Sequence, residues 1–193
     1  AEGLRYLTRL TRAALDSIVE AGDPDFPRLF QMSNETIKIG GDNPDTAYWN
    51  ATIAGNREYV IRGNRGAVPY LSFGTKANRF AVDGGMVSTG ELEDAAMHFA
   101  PDGSFEIAVS SKPRTGNWLP MTDETSLLLV RQTFLDRASE APASLTIACL
   151  DGPECPQPLT VDAIAGQLRR VAAFVRVTAA AFAEWTALFM TRP

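Results

Sequence analysis

The 193-residue chain has one histidine, two cysteines and no excess of basic residues. Each shortage excludes something. A lone histidine, His98, can serve one catalytic triad at most, and no GxSxG elbow, phosphate-binding loop or HExxH pair accompanies it. Cys149 lies in an apolar run (SLTIACL) and Cys155 six positions on between prolines (PECPQP), a spacing that fits no metal ligand set. A loop disulfide between them is sterically open, but a buried free thiol at Cys149 is the plainer reading. Eighteen basic against twenty-three acidic residues give a net charge of -5, which argues against a surface built to neutralise nucleic-acid phosphates. The opening residues AEGLRYLTRL lack a secretory apolar core but do not fix the compartment; a cytoplasmic location is the expectation.

With 45% hydrophobic and 21% charged residues the chain reads as one packed domain that needs no disulfide framework. Residues 1–22 carry an amphipathic helix, with Leu4, Leu7, Leu15 and Ile18 on one side and Arg5, Arg9 and Arg12 on another. Arg12 and Asp16 are spaced for an i,i+4 ion pair. Residues 36–150 read as β structure. The expected strands are TIKI, TAYWNATI, EYVIRG, VPYLSFG, VSTGEL, AMHFA, SFEIAVS, SLLLVRQTF and SLTIACL. Turns of hairpin type are expected at 54–56, 63–66 and 101–103. In the second strand Ala47, Trp49, Ala51 and Ile53 face one way and Tyr48, Asn50 and Thr52 the other. After the prolines at 153–158, Thr160 suits an N-cap, and a helix over 160–190 carries a seam through Ile164, Leu168, Val171, Val175, Thr178, Phe182, Trp185 and Phe189. Arg176 and Glu184 interrupt its apolar window, so packing against the N-terminal helix, or against a second chain or another copy, is expected rather than a membrane span. The fold expected is α+β: an antiparallel β-sandwich or jelly-roll-like core flanked by an N-terminal helix and a long C-terminal helix.

Chemistry concentrates in three places. The segment GGDNPDTAYWN brings Asp42, Asn43 and Asp45 together just before a strand; the carboxylates can act as general base, contact a ligand or cap the turn, and no metal is expected there. TGNWLP offers Asn117 and an indole at Trp118. VRQTFLDR places Arg131 on a strand, where a clamp to Asp42 or Asp45 is expected, with an anion site as the alternative. Asp42, Asp45 and Arg131 are the catalytic candidates, and Asn43, Tyr48, Trp49, Arg62, Asn117 and Trp118 the ligand-binding ones, with all nine expected on one rim and no cofactor. The primary reading is a binding module for a small organic molecule within an oligomer. The alternatives are a catabolic enzyme subunit, with Asp42 or Asp45 as base and Arg131 as electrostatic stabiliser, and a structural partner chain.

The motifs KIGGDNPDTAYWNATI, YVIRGNRG, PYLSF, NWLP and VRQTFLDR resemble the bacterial domain-of-unknown-function 1214 (DUF1214) group over most of residues 1–190. The resemblance implies β-sandwich or jelly-roll domains with helical additions, and a second β portion following a helix like that of residues 161–190. It therefore also implies part of a longer chain or a larger assembly.

Overall fold

The computed structural model describes residues 1–83 and 85–191. The chain begins with α1 (Glu2–Leu15), whose last turn widens into a π-helical turn at Asp16–Glu20 before Gly22. The strands follow as β1 (Thr46–Thr52), β2 (Tyr59–Asn64), β3 (Tyr70–Arg79), β4 (Gly85–Glu93), β5 (Ser104–Ser110), β6 (Trp118–Pro120), β7 (Leu127–Thr133) and β8 (Ser144–Cys149). A one-turn α2 (Phe80–Asp83) separates β3 from β4, and α3 (Val161–Met190) closes the chain. The two flanking helices and the β middle are as the sequence predicts. The Thr160 hydroxyl accepts from the Ala163 N–H at 3.1 Å, the cap its position called for.

Two four-stranded sheets face each other. One has the order β1-β7-β3-β4 and is antiparallel; the other runs β6-β5-β2-β8, with β5 and β6 parallel. Between them lies a core built on Ile53, Tyr59, Ile61, Leu71, Phe73, Ile107, Leu119, Leu128 and Val130. The alternation read in β1 holds: Ala51 is fully buried, and Trp49 packs against the same core.

The three turns correct the expected connectivity. Each sits where predicted, but the turn at 54–56 takes the chain from β1 to β2, that at 63–66 from β2 to β3, and that at 101–103 leads into β5 from the segment after β4. All three cross between sheets, and β3–β4 is the hairpin. Turn chemistry dictates a reversal but not which partner the next strand meets. Two expected strands are also absent. In TIKI the Asn34 side chain accepts from the N–H groups of Thr36 and Ile37, satisfying that backbone locally, and AMHFA forms a 3₁₀ turn at Asp94–Ala96 followed by an irregular segment. TGNWLP, not among the expected strands, contributes β6.

A helical layer lies on the outer face of the β1-β7-β3-β4 sheet. Leu10 and Ala14 of α1 pack on Val171 and Phe174 of α3 in a second, smaller core that draws in Met32, Ile39 and Phe80 from the connecting segments. The face of β1 expected to be solvated is thus partly roofed, and Asn50 is only 7% exposed although it points away from the sandwich. Helix α1 buries Leu10, Ala13 and Ala14, while Leu4, placed on the apolar side by its spacing, is exposed. Arg12 reaches Thr36 and not Asp16. Among the described residues α3 is one helix long and apolar enough to cross a membrane by length and composition, with a window of mean hydropathy 1.4, yet Val171, Phe174 and Thr178 along its middle are buried against the rest of the fold.

Candidate functional site

Cross-strand register fixes what stands on the outer face under the helices. Tyr48, Arg131, Ser72 and Glu93 form one row across β1, β7, β3 and β4; Asn50, Leu129, Gly74 and Glu91 form the next; Thr52, Leu127, Lys76 and Ser88 the third. Leucines on β7 therefore floor the middle of this face, and charged groups cluster toward β4.

Between this floor and the helical roof lies a cleft in two chambers, each of about 370 Å³. One is walled by Tyr48, Asn50, Leu129, Met86 and Trp185 and by the Gly40–Gly41–Asp42 turn. The other is walled by Thr52, Ile18, Phe30, Ser126 and Arg170. Met32, Asn78, Phe80, Leu127 and Phe174 belong to both. The rings of Phe80 and Phe174 stand 6.0 Å apart and make the waist. Gly40 has a positive φ of 74°, and its Cα faces the rings of Phe182 and Trp185, so the turn passes close beneath α3 in a conformation that favours glycine. Size and lining match an ordinary small-molecule cleft: mostly apolar and aromatic, with few polar groups.

The acidic loop forms a smaller crevice of about 170 Å³ beside the first chamber, and Tyr48 is common to both. Here the turn reading holds for Asn43: its side chain accepts from the Asp45 N–H at 2.9 Å, and its own N–H donates to the Tyr48 hydroxyl. Lys38 holds Asp42 at 3.1 Å. Asp45 is exposed, and its backbone carbonyl accepts from Phe134. The expected clamp does not form. Among the described residues no hydrogen bond or ion pair joins Arg131 to Asp42 or Asp45, and Arg131 stays half-buried beside Tyr48 and Ser72, whose buried hydroxyl also lacks a partner.

Nor do the nine candidates share a rim. Asp42, Asn43, Asp45, Tyr48 and Arg131 lie on the helical side, whereas Arg62, Asn117 and Trp118 belong to the other sheet, and Trp49 points into the core between. On that far sheet Arg62 pairs with Glu106 at 2.7 Å. Asn117 ties down the backbone of His98 and Glu106, and the Trp118 indole N–H donates to the Ser110 carbonyl at 3.1 Å. These side chains are spent on the fold. A β-sandwich sends the two ends of its alternation to opposite outer surfaces, so loops that look equivalent in sequence end a whole molecule apart. His98 is exposed, as read. Both cysteines are free, and burial pushes the Cys149 thiol up.

The reading from sequence missed Lys76, Ser88 and Glu91. The Lys76 ammonium, 7% exposed, donates to Glu91 and to Ser88 (3.0 Å), and the Ser88 hydroxyl donates to Glu91 at 2.7 Å. Burial pushes the Glu91 carboxyl up, but those hydrogen bonds and the charges of Lys76 and Arg131 outweigh it and hold it below the usual carboxylate range. The network neutralises a buried amine. A lysine inside an otherwise strand-like run was the available signal.

No family model matches this sequence. No curated protein matches it either. Among solved structures, an uncharacterized protein from Burkholderia cenocepacia is similar at 50% identity and a TM-score of 0.92, over 96% of this chain and 51% of that one. The chain thus spans about half the length of that relative. A protein from Vibrio parahaemolyticus aligns at 18% identity with a TM-score of 0.43, over 55% of this chain and 31% of that one.

Proposed function

We propose that the chain is a small-molecule-binding module that takes an apolar or amphipathic organic ligand in the cleft between α3 and the β1-β7-β3-β4 sheet, as part of a larger assembly. The observation that carries this is the pair of chambers meeting at the Phe80–Phe174 waist, walled by leucine, methionine and aromatic side chains in a place where the sheet could have been packed shut. The DUF1214 resemblance is compatible with this reading and names no ligand. In it α3 serves as the roof of the cleft and not as a membrane span. Asn43 and Tyr48 keep a role at its edge through their mutual hydrogen bond. A base at Asp42 or Asp45 with Arg131 as stabiliser has less support, because Lys38 occupies Asp42 and Arg131 contacts neither carboxylate.

The test uses N-phenyl-1-naphthylamine, an uncharged probe that brightens in apolar surroundings. Saturable binding at one site is expected, lost in Leu127→Trp, which fills the waist, and in Thr52→Trp, which fills the second chamber from a half-buried strand position. An absence of saturable binding to the wild-type protein, or undiminished binding in both folded variants, overturns the reading.

A further inference from the structure

The second chamber has a charged group at its wall. Arg170 of α3 is exposed, lines that chamber, and makes no hydrogen bond or ion pair among the described residues. Among the described residues lining that chamber it is the one ionisable side chain. The first chamber differs: its ionisable lining groups are Tyr48 and Asp42, and the Asp42 carboxylate is already paired with Lys38. The cleft is therefore polarised, with an unanswered positive charge at one end and a closed acid–base pair at the other.

Its length follows from β1. Thr52 lines the Arg170 end, Asn50 and Tyr48 the other, and these alternate residues span about 13 Å along the strand. A compact ring would fill one chamber and leave the other empty. To occupy both, a ligand has to be a slim chain that passes beside the touching rings of Phe80 and Phe174, where unbranched Met32 can adjust.

We infer that the cleft takes a single monocarboxylic acid with a slim apolar chain, its carboxylate on Arg170 and its chain running past Phe80 and Phe174 toward Trp185. This rests on the binding reading above and specifies its ligand class. A lone guanidinium offers two parallel donors to one carboxylate and leaves a doubly charged phosphate half-compensated. A second terminal carboxylate would be carried into apolar walls beside Asp42, so the diacid is rejected.

Displacement of N-phenyl-1-naphthylamine by decanoate, 1-decanol and decanedioate decides the matter. Decanoate is expected to displace the probe at least about tenfold more tightly than either of the others, the size of effect one charge-assisted contact gives. Arg170→Gln, an exposed and conservative change, is expected to bring decanoate down to the level of decanol, both measured against the probe affinity of that same variant; Arg169→Gln, next to it in sequence, is expected to keep the decanoate preference. Equal displacement by decanoate and decanol, a decanoate preference that survives Arg170→Gln, or decanedioate matching decanoate would overturn the inference while the cleft stands. Failure of the probe to bind at all removes the cleft and the inference together.

Discussion

Gln132 is 1% exposed near the end of β7, and its amide pairs reciprocally with the backbone of Ala143, donating to the carbonyl at 3.1 Å and accepting from the N–H at 2.9 Å. A side chain here does what a ladder would otherwise do for the segment entering β8. Gln132→Leu keeps the volume but strands both backbone groups, and a loss of about 2–4 kcal/mol in denaturant unfolding is expected. Thr178 is the opposite case: fully buried in α3, its hydroxyl has no partner. Thr178→Val should raise stability by up to about 1 kcal/mol in the same assay, because it removes an unsatisfied group at nearly constant volume. Glu91 supplies a pH dependence. Its carboxyl titrates lower in the folded chain than in the unfolded one, so its stabilisation is present above the unfolded value near about 4.3 and is lost as pH falls through the folded value. Glu91→Gln is therefore expected to lower Tm at pH 7 and to flatten the fall in Tm between about pH 5 and 3, measured by thermal denaturation.

At the scale of elements, periodicity made the strands visible and hid their neighbours. TAYWNATI and SFEIAVS announce themselves by alternation, and their buried faces are the ones read. What β1 pairs with is not local information: its partner β7 lies more than seventy residues on. The site was legible only in part for the same reason. Asn43 and Tyr48 were found because a turn and the strand it enters are sequence neighbours, whereas the cleft needs α3 laid over β7, and nothing local marks Leu127, Leu129 and Phe174 as its walls. Arg62 and Asn117 stand out in sequence as polar side chains, and both are engaged in holding the second sheet together. The inter-sheet crossing at 54–56 is tightly built. The Tyr59 hydroxyl accepts from the Ala54 N–H at 2.8 Å, and a Cβ on Gly55 would stand 2.0 Å from the Thr122 carbonyl oxygen. Because that neighbour is backbone, Gly55→Ala is expected to cost about 2 kcal/mol or more by chemical unfolding, well beyond a surface substitution.

Seen whole, the molecule is a sandwich with a third, helical layer, and that layer is incompletely covered. Trp185, Leu188, Phe189 and Met190 are all exposed at the far end of α3, as are Val161 and Leu168 near its start. Residues so placed are what a larger assembly would bury. If the chain assembles as proposed, its native mass should exceed that of one copy, and Phe189→Asp should shift sedimentation toward the single chain without altering the β-sheet circular dichroism.

The strand order also dictates when the first sheet can exist. Both β1 and β3 rest on β7, which is seventh of the eight strands to leave the ribosome. From the end of β3 at Arg79 to the start of β7 at Leu127 the growing chain holds these two segments beside an empty slot, with Leu71 and Phe73 uncovered. The sheet therefore cannot close before residue 133 has been made, and until then β3 has β4 alone to pair with.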